Sequence, residues 1–288
     1  MATIAECLRC AIELQSVSDT PRLDVELLLA HCLNKDRVFL FTWPEHELSP
    51  DQLQAFDKAV ARRKTGEPVA YILGYREFWS LPLQVNNTTL IPRPDTELLV
   101  AIALEKLPAS PQRILDLGTG TGAIALALAS ERPDCEIVAV DKFAGAAQLA
   151  EANRAHLHLN NVTILQSDWF SSVTPVDFDI IVSNPPYIDK MDEHLEQGDV
   201  RFEPESALVA GDKGLADIRR IVADTARLNQ RPFWLLLEHG WQQAEAVREI
   251  MWSAGFVDVE TRQDLAGRDR VTLGAFGQTK GFSVSSTL

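Results

Sequence analysis

The spacing of apolar residues changes part-way along the chain and predicts two parts of different architecture. Up to about residue 70, apolar side chains recur every three or four positions, as at Ile4, Cys7 and Leu8, which is the period of amphipathic helices. Further along, short continuous apolar runs alternate with segments of helical spacing. Such runs are typical of strands buried on both faces, and strands that alternate with helices predict a parallel sheet.

Three helices are predicted in the N-terminal part, over residues 3–15, from Pro21 onward, and from Ser49 to about Lys64. Proline is favourable in a first helical turn, which supports the start at Pro21. Together the helices form a small bundle without a catalytic group of residues. Such a bundle either stabilises the neighbouring domain or holds its substrate. We favour the second role, because a separate bundle beside a catalytic domain often grips the substrate.

A change to period-two alternation marks the end of the bundle. Residues 76–79 and 83–85 alternate as strands around residues 80–82 and predict a hairpin between two domains. The last residues are polar and carry no periodic pattern, which indicates a mobile tail. The predicted division is a helical domain over residues 1–73, a hairpin linker over 74–92, an α/β domain over 93–277 and a flexible tail over 278–288.

Seven strands are predicted beyond the hairpin. They cover residues 113–117, 136–140, 162–165, 178–182, 233–237, 256–260 and 270–276. The first five are expected to lie parallel, and the last two to pair antiparallel and close the sheet. The predicted fold class is therefore α/β: a Rossmann-like domain with a mostly parallel seven-stranded sheet, plus the small N-terminal helical bundle.

A glycine-rich turn follows the first strand of this domain and opens a helix. Strand, glycine turn and helix form a cofactor-binding unit, because glycine lets the backbone approach a ligand closely. The second strand ends at Asp141, 21 residues past Gly120, where a carboxylate can accept both ribose hydroxyls of a nucleoside cofactor. Asp168 could accept from an adenine amino group, and Trp169 could cover the base. The candidate cofactor residues of the turn itself are Gly118, Thr119, Gly120, Thr121 and Gly122.

The glycine turn alone leaves two cofactor classes open. Gly118, Gly120 and Ala123 also fit the dinucleotide pattern, which tolerates alanine at its third place. Asp116, two residues before the first glycine, tilts the interpretation, because Asp-x-Gly-x-Gly-x-Gly is common in methyltransferases that use S-adenosylmethionine. An NAD-dependent oxidoreductase is the alternative from another class of enzyme.

Four residues, Asn184, Pro185, Pro186 and Tyr187, follow the apolar run 178–183 and form the corner around which the chemistry is predicted. The two prolines end the strand and stiffen the chain. Asn184 Oδ1 and the Pro185 carbonyl can each accept one hydrogen of a planar NH2 group, while Tyr187 lies against its flat face. Binding both hydrogens favours the state in which the nitrogen lone pair points at an electrophile, a stabilisation that raises rate.

These properties assign the corner residues to roles. Asn184, Pro185 and Tyr187 are the candidate catalytic residues, and Asn184, which faces both ligands, is also a candidate cofactor contact. The candidate substrate-binding residues are Asn184, Pro185, Pro186 and Tyr187.

The charge of the chain disfavours a nucleic-acid ligand. The formal net charge is −14, and residues 1–70 carry 8 basic and 11 acidic side chains, which leaves −3. A surface that holds phosphates is expected to be basic. No apolar run approaches the roughly 18 residues that span a bilayer, and the first residues do not resemble an export signal. We therefore expect a cytoplasmic protein without a membrane or nucleic-acid partner.

The four cysteines do not predict a metal site. Cys7 and Cys10 form a lone C-x-x-C pair, and Cys32 and Cys135 lie far from them. A structural zinc site needs four suitably spaced ligands. Reduced thiols in the core are the favoured interpretation.

Motifs along nearly the whole chain resemble the HemK/PrmC family, the protein-(glutamine-N5) methyltransferases that modify peptide chain release factors. The resemblance rests on the helical N-terminal domain and on residues 90–97, 116–122, 183–188 and 268–273. Residues 90–97 (Leu-Ile-Pro-Arg-Pro-Asp-Thr-Glu) are the most specific, because other methyltransferases with Asn-Pro-Pro-Tyr generally lack them. Residues 211–214 depart from the family pattern, and so does the chain after about Gly277.

The resemblance implies an S-adenosylmethionine-dependent enzyme that methylates the side-chain amide nitrogen of the glutamine in the Gly-Gly-Gln loop of release factors and so modulates translation termination. It implies the cofactor at residues 118–122, Asp141 and Asp168-Trp169, and the glutamine at residues 184–187. It also implies that the N-terminal bundle docks the release factor.

Three questions stay open at this point. A nucleic-acid adenine-N6 methyltransferase would present the same planar NH2 to the corner, and charge alone argues against it. His239 could be a general base, although capping of the next helix is favoured. Arg93 could face the active site, although a solvated side chain is favoured.

Overall fold

The computed structural model describes residues 2–174, 177–228 and 231–277. The predicted tail, residues 278–288, lies outside them. The described chain forms two compact units. The first contains the residues up to Arg76, Val85–Asn87 and Glu193–Glu203, and the second contains Glu77–Gln84, Thr88–Asp192 and the residues from Pro204 onward. The units are thus discontinuous in sequence, whereas the predicted domains are contiguous.

The first unit is helical. Its elements are α1 (Ile4–Cys7), which continues as a 3₁₀ helix (Leu8–Leu14), α2 (Pro21–Leu33), α3 (Arg37–Thr42), α4 (Pro50–Lys64) and α5 (Val69–Leu73). Pro21 and Pro50 each stand in the first turn of their helix, as expected from the missing N–H of proline. The first predicted helix is mostly 3₁₀ rather than α.

A buried arginine ties one remote segment to the helices of this unit. Arg63 on α4 is 4% exposed, and its Nε donates to Asp24 Oδ2 on α2 at 2.7 Å. Its Nη1 donates to the carbonyl oxygen of Gly66 at 3.0 Å and to Asp199 Oδ1 at 3.1 Å. Asp199 belongs to Glu193–Glu203, so this ion pair holds that segment on the helical unit.

Ser49 stabilises the start of α4 through a capping box. Its hydroxyl accepts from the Gln52 N–H, and the Gln52 side chain accepts from the Ser49 N–H. We expect Ser49→Ala to lower the free energy of unfolding by about 1 kcal/mol, because one helical N–H loses its partner. Chemical denaturation measures this change. Ser16→Ala, at an exposed serine of the same unit, is the control and should stay within about 0.5 kcal/mol of the parent; an equal loss in both variants would contradict the role of the cap.

The predicted hairpin is present, with its turn shifted. It consists of β1 (Tyr75–Phe78) and β2 (Leu81–Gln84). Trp79 and Ser80 form the turn with φ of +51° and +60°, the pair of positive values of a two-residue hairpin. Leu81 therefore lies in the second strand and not in the turn.

The second unit is an α/β domain. Its strands are β3 (Arg113–Leu117), β4 (Glu136–Asp141), β5 (Val162–Gln166), β6 (Ile180–Ser183), β7 (Phe233–Glu238), β8 (Val257–Gln263) and β9 (Asp269–Phe276). Its helices are α6 (Glu97–Lys106), α7 (Ala123–Glu131), α8 (Ala144–His156), α9 (the single turn Gly211–Gly214), α10 (Ala216–Leu228) and α11 (Ala244–Ser253). Helices α7 and α8 each follow a strand of the parallel part, as in other alternating α/β sheets.

The sheet confirms the predicted fold class. Its seven strands lie in the order β5-β4-β3-β6-β7-β9-β8; β3 to β7 are parallel, and β9 runs antiparallel to both its neighbours. Strand β3 pairs with β4 on one side and with β6 on the other, with Leu117 opposite both Val140 and Ser183. The strand order reverses at β3. Ligands of such sheets bind beyond the carboxyl ends of the strands at this reversal.

Candidate active site

A cavity of about 230 Å³ lies beyond the carboxyl ends of β3, β4 and β6. It collects candidates from three separate motifs of the sequence. The predicted site residues that line it are Gly118, Thr119, Gly120, Thr121, Asp141, Trp169, Asn184 and Pro186. Four further candidates, Gly122, Pro185, Asp168 and Tyr187, do not line this cavity within the part of the chain that the structure describes.

The glycine turn has a backbone that side chains would strain. Gly118 and Gly120 have φ of +73° and +56°, a conformation that residues with a Cβ rarely adopt. A Cβ on Gly118 would lie 3.4 Å from the Trp169 ring. The N–H groups of Gly118 and Thr119 both donate to the Val140 carbonyl at 2.9 Å, which fastens the turn to β4. The turn therefore offers a rigid backbone surface to a ligand.

Asp141 connects β4 to the same turn. Its Oδ2 accepts from the Gly120 N–H at 3.0 Å, and its Oδ1 accepts from the Phe143 N–H at 2.9 Å. Burial raises the pKa of Asp141, while these N–H donors oppose that rise. Both carboxylate oxygens keep further acceptor capacity at the cavity wall.

Asp116 lies beneath the turn and is fully buried. Thr119 Oγ1 donates to its Oδ2 at 2.6 Å, and its Oδ1 has no hydrogen-bond partner among the described residues. Burial raises the pKa of Asp116 to about 7, because the charged carboxylate is removed from water.

This raised pKa predicts a loss of stability with rising pH. Between the ordinary aspartate pKa and about 7, folded Asp116 holds a proton that the unfolded chain has released, so its stabilising contribution disappears as pH rises through that window. We expect Asp116→Asn to flatten the fall of the unfolding free energy between pH 5 and 7 by up to about 1.4 kcal/mol per pH unit. Denaturant titrations at several pH values measure the slope.

The matched control for that experiment is Asp258→Asn. Asp258 is exposed and has a φ of +51°, which asparagine tolerates as well as aspartate. Its pH slope should match that of the parent protein. An unchanged slope in Asp116→Asn would contradict the proposed origin of the effect.

Asp168 and Trp169 follow β5 and differ in their placement. Trp169 lines the cavity, whereas the Asp168 carboxylate pairs with Lys142 Nζ at 3.1 Å and with Arg220 Nη1 at 3.0 Å. The Lys142 hydrogen bond, aided by the Arg220 charge, lowers the pKa of Asp168. An adenine contact of Asp168 stays a prediction, in which two cations compete for the same carboxylate.

The corner residues begin where β6 ends. Ser183 Oγ donates to the Leu117 carbonyl at 2.7 Å, which fixes the corner against β3. Asn184 is half-buried, and its Nδ2 donates to Thr96 Oγ1 at 3.2 Å. Tyr187 OH donates to Glu238 Oε1 at 3.4 Å. The Tyr187 ring is thus anchored through its hydroxyl to the end of β7.

Arg93 is half-buried and lines the cavity, so the structure supports the alternative that Arg93 faces the active site rather than the favoured solvated side chain. Asp217 and Arg220 on α10 also line the cavity, and no motif points to them.

His239 is enclosed by protein, and both of its ring nitrogens have protein partners. It is fully buried, and its Nδ1 and Nε2 lie 2.9 Å from the Gly240 carbonyl and 2.8 Å from Thr272 Oγ1. Burial lowers its pKa. The expected capping of the next helix is also absent: Gln243 is the N-cap of α11, and its Oε1 accepts from the Gly240 N–H.

Comparison with known proteins decides the family. Residues 6–74 match the protein family described as "PrmC N-terminal domain", and residues 95–202 match the family described as "Methyltransferase small domain". Proteins named release factor glutamine methyltransferase are similar over nearly their whole length. The Escherichia coli protein is 56% identical over 94% of this chain and 98% of its own, and the Shewanella oneidensis protein is 57% identical over 94% and 95%.

The chain belongs to the HemK/PrmC family. Solved structures agree with the fold. A methyltransferase from Pyrococcus furiosus superposes with a TM-score of 0.53 at 15% identity over 77% of this chain and all of its own. The hMettl16 catalytic domain, crystallised with the MAT2A 3′UTR hairpin 6, gives 0.57 at 16% identity over 73% and 81%. At these identities the likeness concerns the fold alone.

Membership of the HemK/PrmC family makes the protein an S-adenosylmethionine-dependent methyltransferase, as the resemblance implied, and rules out the NAD-dependent alternative. The residues of the cavity fit this cofactor. The glycine turn allows close approach of its backbone, the Asp141 carboxylate offers acceptors for hydroxyl groups, and the Trp169 ring forms an aromatic wall. Within the described residues, no group of three His, Cys, Asp or Glu could hold a metal, and no helix is long and apolar enough to cross a membrane.

Proposed function

We propose that this enzyme methylates the side-chain amide nitrogen of the glutamine in the Gly-Gly-Gln loop of peptide chain release factors and thereby modulates translation termination. The observation that carries the proposal is similarity over almost the full length, N-terminal domain included, to relatives named release factor glutamine methyltransferase. Release factors are then its protein partners, and the cytoplasm its location. The reaction uses no metal, no membrane and no nucleic acid directly.

The corner residues suit the chemistry of a glutamine amide. Bound S-adenosylmethionine supplies an electrophilic methyl group. Asn184 Oδ1 and the Pro185 carbonyl accept the two N–H hydrogens of the substrate, Pro186 keeps the corner rigid, and Tyr187 packs beside the amide plane. The two acceptors hold the amide nitrogen so that its lone pair can face the methyl group, and such orientation can account for about 7–11 kcal/mol of the barrier.

The cofactor side of the site is assigned to the glycine turn. Residues 118–122 approach the cofactor through their backbone, and Asp141 accepts its ribose hydroxyls. Trp169 covers the base, and Asp168 accepts from its amino group. Asn184 stands between the cofactor and the substrate.

The first unit, the helical domain, docks the release factor. Its α3 region presents large apolar side chains to solvent: Val38, Phe41 and Trp43 are 68%, 57% and 59% exposed. Exposed apolar side chains that lie together are typical of interaction surfaces. The hairpin connects this domain to the catalytic one.

Loss of one of these side chains should weaken substrate binding alone. We expect Trp43→Ser to raise KM for the release factor about ten-fold with kcat within about two-fold, because interface aromatics often dominate binding energy. Steady-state kinetics with varied release factor measures both constants. Trp252→Ser, at a tryptophan of α11 that is 53% exposed, is the matched control and should leave KM unchanged. Equal effects of the two variants would contradict docking at α3.

The experiment that tests the function is methyl transfer from labelled S-adenosylmethionine to purified release factor. The same factor with the glutamine of its Gly-Gly-Gln loop changed to alanine is the control, and DNA and RNA are assayed in parallel. Label on the unaltered factor alone supports the proposal. Label on nucleic acid would instead favour an adenine-N6 methyltransferase, against which the net charge of −14 argues.

A further inference from the structure

A series of partly buried hydrogen bonds leads from the catalytic corner to a carboxylate on the neighbouring strand. Asn184 Nδ2 donates to Thr96 Oγ1 at 3.2 Å, and the Thr96 hydroxyl in turn hydrogen-bonds the Glu238 side chain at the end of β7. Tyr187 OH donates to the same carboxylate at 3.4 Å. Thr96 and Glu238 are 4% and 1% exposed, so water competes little for these bonds.

The Glu238 carboxylate fixes which atom donates and which accepts in this series of hydrogen bonds. The hydrogen bond from Thr96 favours the ionised form of Glu238, so the Thr96 hydroxyl donates its single hydrogen to that carboxylate. The Thr96 oxygen is then left as an acceptor, and it can receive only the NH2 side of the Asn184 amide. The acceptor Oδ1 of Asn184 is therefore the atom turned away from Thr96, free for a ligand in the cavity.

We propose that Glu238, acting through Thr96, is a positioning residue that sets the orientation of the Asn184 amide so that its oxygen faces the substrate NH2. The proposal rests on the function proposed above for Asn184. It also assigns Thr96, the first residue before α6, a role in the active site. No local sequence pattern connects Thr96 with the corner, because 88 positions separate Thr96 from Asn184.

The surroundings of Glu238 disfavour its ionised form, so a role in packing alone would not explain a carboxylate at this position. Burial raises the pKa of Glu238 to about 7, Asp95 repels its charge, and Arg270 attracts it. Its Oε2 has no hydrogen-bond partner among the residues described, so the bond from Tyr187 uses Oε1. An apolar side chain of similar volume would fill the same space without the cost of desolvation.

Loss of these hydrogen bonds should lower kcat more than it changes KM or Kd. In Thr96→Val the Asn184 amide has no partner that selects its orientation. The flipped amide would present its NH2 to the NH2 of the substrate, donor against donor. We expect kcat to fall about 30- to 100-fold, while KM for the release factor and Kd for S-adenosylmethionine stay within about three-fold, since neither is bound through Thr96.

Two conservative variants separate hydrogen bonding from volume and charge. Thr96→Ser keeps the hydroxyl and should restore kcat to within about three-fold of the parent. Glu238→Gln keeps an acceptor oxygen at Oε1 and should restore it to a similar level, whereas Glu238→Leu removes both oxygens and should resemble Thr96→Val. The double variant Thr96→Val/Glu238→Leu should lose no more than either single variant, because both break one chain.

The parent enzyme, measured in the same assay, separates the two proposals. A parent that does not label the release factor overturns the proposed function. An active parent with a Thr96→Val variant of normal kcat overturns the positioning role, and so does equal loss of kcat in Thr96→Val and Thr96→Ser. Thermal unfolding of each variant accompanies the assay, and if Glu238→Leu does not fold, the two Thr96 variants decide.

Discussion

Replacing Asn184 by alanine is expected to reduce kcat for release factor methylation by at least about a thousand-fold. Removal of one preorganised transition-state contact costs about a hundred- to a thousand-fold in other enzymes. Here the loss is placed at the upper end, because the proposed function gives Asn184 two tasks: it accepts a substrate hydrogen and sets the direction of the nitrogen lone pair. The measurement is single-turnover transfer from labelled S-adenosylmethionine at saturating release factor.

Cofactor affinity provides the internal control for this variant. The Asn184 side chain is held by Thr96 and not by the glycine turn, so Kd for S-adenosylmethionine should stay within about three-fold in calorimetric titration. The thermal midpoint should also change little, because Asn184 is only half-buried. Parallel losses of affinity and turnover would contradict the catalytic role and point to a collapse of the cavity.

The elements with strong local signals could be predicted from the sequence. Strand β3 begins and ends at the predicted residues, since an apolar run is bounded by a polar residue before it and a glycine after it. Helices α3 and α5 span only six and five residues, too few to show a period, and were missed. Helix α8 was also missed. Its one large aliphatic side chain is Leu149, and its other apolar residues are small, so its apolar face is weak.

The parts of the site that lie on one motif could also be predicted. The glycine turn, Asp141 and Asn184 each follow a buried strand, and the parallel sheet brings those strand ends together in one cavity. Their partners could not be predicted, because a hydrogen bond between distant residues leaves no periodic trace. Thr96 illustrates this limit: it stands at the N-cap position of α6, yet its hydroxyl makes no cap bond and instead contacts Asn184 and Glu238.

The discontinuity of the helical unit could not be predicted either, because it also depends on contacts between residues distant in sequence. Nothing in the composition of Glu193–Glu203 indicates that it belongs with the N-terminal helices. The association includes the hydrogen bond from buried Arg63 to Asp199, 136 positions away, and one from Arg201 to the Thr65 carbonyl. Because Glu193–Glu203 follows the catalytic corner in the chain, one continuous polypeptide segment leads from the corner to the helical unit.

Replacing Asp141 by alanine is expected to weaken S-adenosylmethionine binding about a hundred-fold. The carboxylate accepts from the Gly120 N–H and so fixes the glycine turn, which alanine cannot do. In the proposed function it also offers acceptors to the ribose. Hydrogen bonds to charged groups contribute about 1.5–3 kcal/mol each, so loss of these interactions suffices for a change of this size. Calorimetric titration of the purified variant measures Kd directly.

Measurement of kcat at saturating S-adenosylmethionine separates an effect on cofactor affinity from an effect on the methyl transfer step in this variant. At saturating S-adenosylmethionine, kcat of Asp141→Ala should recover to within about five-fold of the parent, because the carboxylate does not contact the methyl acceptor corner. Asp134→Ala removes an exposed aspartate that pairs with Arg132 just before β4, and it should leave Kd unchanged. A Kd of Asp141→Ala within three-fold of the parent would mean that the turn holds its conformation unaided and that the ribose is bound elsewhere. A persistent loss of kcat at saturation would instead place Asp141 in the alignment of the reacting groups.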